Sequence, residues 1–74
     1  MKELDLIYTD FVNVEYKMIC FEGVLNDLKD YYNQEELNEQ EATIVVVLNQ
    51  IERLHSELKK GIEKLDNLML QKAQ

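Results

Sequence analysis

Leu25-Asn26-Asp27-Leu28-Lys29-Asp30-Tyr31-Tyr32-Asn33-Gln34-Glu35-Glu36-Leu37 is the stretch on which the fold turns. Upstream of it, Leu4, Ile7, Phe11, Val14, Met18, Phe21, Leu25, Leu28 and Tyr32 recur at alternating steps of three and four. That spacing is the apolar stripe of an amphipathic helix. Downstream, Leu37, Ile44, Ile51, Leu58 and Leu65 hold one heptad column. Val47, Leu54, Gly61 and Leu68 hold a second, and Leu48, His55, Ile62 and Met69 a third. From Leu25 to Leu37 is twelve residues, a heptad plus five, so the two stripes fall on different sides of any straight helix. Ordinary heptad interruptions insert about three or four residues. The slip therefore predicts a turn, and the chain reads as all-α, an antiparallel two-helix hairpin.

The boundaries follow from the polar segment Asn33 to Glu41, whose one apolar residue is Leu37. The spacing predicts helix over about 2–32, a turn within 33–38 and a second helix over about 39–72, one domain spanning 1–74. Asn38 and Glu41 have the spacing of a capping box, with Asn33 and Glu36 as an earlier alternative. Thr43-Ile44-Val45-Val46-Val47-Leu48 is β-branched and in isolation suits a strand. Helical periodicity on both sides favours the buried first turns of helix 2 instead.

Composition agrees. There is no proline and only Gly23 and Gly61, too little punctuation for a β-rich chain. At 74 residues one core supplies only ~3–5 kcal/mol, and such small chains lean on disulfides, metals or oligomerisation. Cys20 is the single cysteine and His55 the single histidine, so neither an intrachain disulfide nor an ordinary four-ligand zinc site is expected. Self-association is what remains, and the three-column stripe of helix 2 is wide enough for more than one neighbour. The expected closure is a homodimer of hairpins forming a four-helix bundle.

Met1-Lys2-Glu3-Leu4-Asp5 has no apolar core of signal-peptide length, and the aliphatic run Ile44 to Leu48 is far too short to span a bilayer. A lone reduced cysteine fits a cytoplasmic address. Residues 1–41 hold 11 acidic and 3 basic side chains and residues 42–74 hold 4 and 5, together giving the net −7. Antiparallel folding brings Glu3, Asp5 and Asp10 beside Lys59, Lys60, Lys64 and Lys72, an arrangement expected to suit helix dipoles and interhelix pairing. The acidic surface repels phosphate, so no nucleic acid is expected as a partner, whereas a basic protein is admissible.

A second apolar row, Val12, Tyr16, Ile19 and Gly23, lies roughly opposite the helix 1 stripe. Together with Leu48, His55, Ile62 and Met69 it is the candidate oligomer or partner interface. Glu52-Arg53-Leu54-His55 is a Glu-x-x-His step, which with Glu15 or Glu22 would resemble a carboxylate-bridged metal bundle. Both glutamates are expected beside the helix 1 seam, not in it, so metal binding is the second hypothesis and no cofactor is assigned. Cys20 is expected as a buried structural thiol, and no catalytic residue is assigned.

In its helix–turn–helix plan and heptads the chain resembles the small plasmid-encoded Rop-type hairpin dimers. The resemblance implies a dimeric four-helix bundle. It does not carry over that family's RNA contacts, which use outward basic and polar groups of helix 1, because here that surface is acidic with Lys17 and Lys29 alone in its interior. The expected function is a non-enzymatic interaction protein: adaptor, regulator or inhibitor.

Overall fold

The computed structural model describes residues 2–73, and their side-chain environments as far as residue 71; the side chain of Lys72 lies outside the described residues. Helix α1 spans Lys2–Gln34 and helix α2 spans Asn38–Ala73. At ~1.5 Å per residue these helices are each about 50 Å long. The molecule measures 56 × 15 × 13 Å, the dimensions of two helices lying side by side.

The turn is built without glycine. Glu36 adopts φ 58°, the left-handed conformation that ends many helices. Its N–H donates to the Asn33 carbonyl at 3.1 Å, and the Leu37 N–H donates to the Tyr32 carbonyl at 2.9 Å. These two bonds are the paired closure of a Schellman motif, which satisfies carbonyls the helix end would otherwise orphan. The Glu41 N–H donates to the Leu37 carbonyl at 2.9 Å, so Leu37 takes the N-cap position and Asn38 is already helical. The capping pair expected at Asn38 and Glu41 is thus displaced by one residue, because the tight Schellman closure delivers Leu37 directly into the second helix.

The β-branched run is helical throughout, and Thr43 Oγ1 donates to the Glu39 carbonyl at 3.0 Å. This back-bond occupies a hydroxyl that would otherwise compete with the helix. Only part of the run is covered: Leu48 is buried, Ile44 and Val47 are half-buried, and Val46 is 60% exposed.

Packing in the single hairpin is thin. Leu25, Leu48 and Ile62 are the buried core, none of them below 5% exposure. A compact chain of this length has a radius of gyration of about 11 Å, against 16.8 Å here. Surface tells the same story. A globular protein of 8.8 kDa exposes about 4,800 Å², and this hairpin exposes 5898 Å². The excess, roughly 1,100 Å², is the signature of a shape with an uncovered side.

Candidate functional site

The seam between the helices is not the one that apolar periodicity predicts. On α1 the half-buried and buried positions are Leu4, Tyr8, Val12, Glu15, Met18, Glu22, Leu25, Leu28, Lys29 and Tyr32. Relative to the predicted stripe, contact has moved one residue along at Ile7, Phe11, Val14 and Phe21, which are all exposed. The helix is rotated so that the column Tyr8, Glu15, Glu22, Lys29 points toward α2.

His55 gives the rotation a chemical cause. Its Nδ1 lies 3.0 Å from Glu22 Oε1 and its Nε2 lies 3.2 Å from Glu15 Oε2. Glu15 and Glu22 are one heptad apart, hence on one face of α1, and the imidazole of α2 fits between them. A ring that donates to both carboxylates is an imidazolium, and each contact is then a charge-assisted hydrogen bond. All three side chains are roughly four-fifths covered. The expectation that Glu15 and Glu22 stand beside the seam is corrected: they stand in it. The available signal was His55 within the apolar stripe of helix 2, a polar ring that needs a polar counterpart across the contact.

This clasp does not make a metal centre. Its two carboxylates occupy opposite edges of the imidazole and do not converge on a point. Glu52, the other half of the Glu-x-x-His step, is exposed and lines a shallow depression with His55, Ser56 and Lys59. Among the described residues no group of three or more His, Cys, Asp or Glu side chains is placed to hold a metal ion.

The remaining candidates divide between the inside and the outside of the hairpin. Leu48 and Ile62 are buried and His55 and Met69 half-buried, so this column is used within the chain. The α2 column left open is Leu54, Gly61 and Leu68, with Val47 half-covered at its end. Val12 is half-buried, whereas Tyr16, Ile19 and Gly23 are exposed. Cys20 is also exposed, in place of the buried thiol expected, because the rotation of α1 carries it away from α2. Among the described residues the salt bridges are the two of His55, and the lysines of α2 do not pair with Glu3, Asp5 or Asp10.

Handedness places the two open columns together. On α1 the column Ile7, Val14, Phe21, Leu28 lies on the counter-rotated flank of the seam, and on α2 the column Val47, Leu54, Gly61, Leu68 does likewise. In antiparallel helices these flanks share one side of the hairpin. Taking His55 at the level between Glu15 and Glu22 fixes the register. Ile7 then stands level with Leu68, Val14 with Gly61, Phe21 with Leu54 and Leu28 with Val47. The other side is polar on α2, where Glu52, Lys59 and Asp66 occupy the matching column.

No family model matches the chain, and comparison with curated proteins and with solved structures also gives no match. The site therefore defines only a class: an all-α hairpin with a polar clasp in its seam and one apolar side. Among the described residues no helix is long and apolar enough to cross a membrane.

Proposed function

We propose that the chain is a non-enzymatic interaction protein whose working unit is a homodimer, two hairpins stacked on their apolar sides as a four-helix bundle. The observation that supports this reading is the level pairing of exposed apolar residues along one whole side of the hairpin. Phe21 is 49% exposed, Leu54 51% and Ile7 44%, in a molecule whose covered core is three residues. Burying the excess surface, roughly 1,100 Å² per protomer, hides about 2,200 Å² in total. That falls in the range of permanent interfaces, about 2,000–5,000 Å².

Gly61 fits the same picture. A Cβ added there meets nothing within 4 Å, so nothing inside the hairpin calls for glycine at a mid-helix position. Glycine costs a helix up to about 1 kcal/mol relative to alanine. Its use is external: it lets a facing helix approach at the middle of the apolar side. The bundle supplies a rigid scaffold whose remaining surfaces meet a partner protein.

Light scattering on size-separated protein tests the unit. Wild type should run at twice the chain mass, and Phe21→Lys, which sets a charge at the centre of the apolar side, should run as a monomer. A wild-type monomer at high concentration refutes the reading.

A further inference from the structure

A second apolar surface lies on α1, pointing away from both α2 and the apolar side. It consists of Tyr16, Ile19, Cys20 and Val24, with Gly23 between them and Tyr31 at its C-terminal end. Tyr16 is 68% exposed, Val24 60% and Ile19 51%. A Cβ at Gly23 meets nothing within 4 Å, so the strip has a notch at its middle. Dimerisation through the apolar side leaves this strip uncovered, because it occupies the opposite half of the α1 circumference. We propose that the strip is a docking surface for a basic amphipathic helix of another protein, an apolar row flanked by Lys or Arg.

Charge selects this occupant. The strip sits on the half of the chain with 11 acidic against 3 basic residues. Asp10, Asp27 and Asp30 surround its two ends, and Lys17 is the one cation within its length. A helix with basic flanks meets attraction on approach and gains apolar contact on seating, with the open backbone at Gly23 admitting close packing. A second copy of this chain does not suit the surface. Two α1 strips would bring two acidic fields together, and like-charge juxtaposition is a strong discriminator against wrong partners. The outward row of α2 offers no apolar match either, running through Asn49, Arg53, Ser56, Lys60 and Asn67.

The test uses the full chain and two labelled synthetic helices, one with a leucine row flanked by lysines and its twin with glutamates in their place. Fluorescence anisotropy should show binding of the lysine helix alone. Ile19→Glu removes apolar contact while adding negative charge, and should weaken that binding at least tenfold, about 1.4 kcal/mol. Tyr16→Glu should do the same, and circular dichroism checks that both variants stay helical. Retained affinity in these variants means that the peptide merely adsorbs to an acidic surface, which overturns the proposal. Equal binding of the two peptides overturns it as well. A fall in particle mass on Ile19→Glu means that a second copy covers the strip, also against it. The self-association reading stands apart, because monomeric Phe21→Lys should still bind the lysine helix.

Discussion

Replacing His55 with leucine separates two accounts of the seam. If His55 were a passive edge residue, a leucine in the same column as the buried Leu48 and Ile62 would add apolar contact and raise stability. The geometry forecasts the reverse. The substitution deletes contacts of 3.0 and 3.2 Å and leaves Glu15 and Glu22 facing an apolar side chain. A hydrogen bond to a charged group contributes about 1.5–3 kcal/mol, and leaving a buried charge unpaired costs still more. Here Glu15 and Glu22 retain 24% and 20% exposure, so water recovers part of the loss. We therefore take about 1 kcal/mol per contact, roughly 2 kcal/mol together, the low end of the range. In a domain of this size that lowers the thermal midpoint by about 10 °C.

The triple change Glu15→Leu, Glu22→Leu, His55→Leu should move the other way. Swapping a complete buried ionic group for well-packed apolar residues is often stabilising by about 1–4 kcal/mol. The assay is thermal unfolding followed by circular dichroism at one fixed protein concentration, since association shifts the midpoint. Opposite signs for the single and triple variants are expected. A His55→Leu protein at or above the wild-type midpoint refutes the clasp, and with it the reason offered for the rotation of α1.

Two further outcomes follow from the geometry. Glu36→Gly relieves the left-handed strain at φ 58° and should stabilise by about 1 kcal/mol, read as a rise of several degrees in the same melt. Leu48→Ala removes one of the three buried side chains and should cost about 2–4 kcal/mol. That is comparable to the whole ~3–5 kcal/mol of a core this small, so urea unfolding should show its transition weakened to near loss.

Much of the fold follows from the order of residues alone. Steps of three and four require helices, and the slip between Leu25 and Leu37 requires that there be two of them. The polar run after Tyr32 places the turn, found at residues 35–37. Its conformation was not legible, because the usual mark of a left-handed closure is glycine and this chain uses Glu36. Likewise the wide stripe of helix 2 implied more than one neighbour without saying which column faces α1.

Tertiary structure decided the rotation of each helix. An apolar stripe two or three columns wide is satisfied by several rotations of similar buried area, since the hydrophobic effect is non-directional. Hydrogen bonds are directional, and His55 is satisfied only where Glu15 and Glu22 flank it. That requirement turns α1 so that Ile7, Phe11, Val14 and Phe21 point outward, and it commits Leu48 and Ile62 to the interior. Periodicity determines that two amphipathic helices exist and fold back on each other. Which edge of each stripe is spent inside, and which is left to meet another molecule, is settled by one imidazole and two carboxylates that only the folded chain brings together.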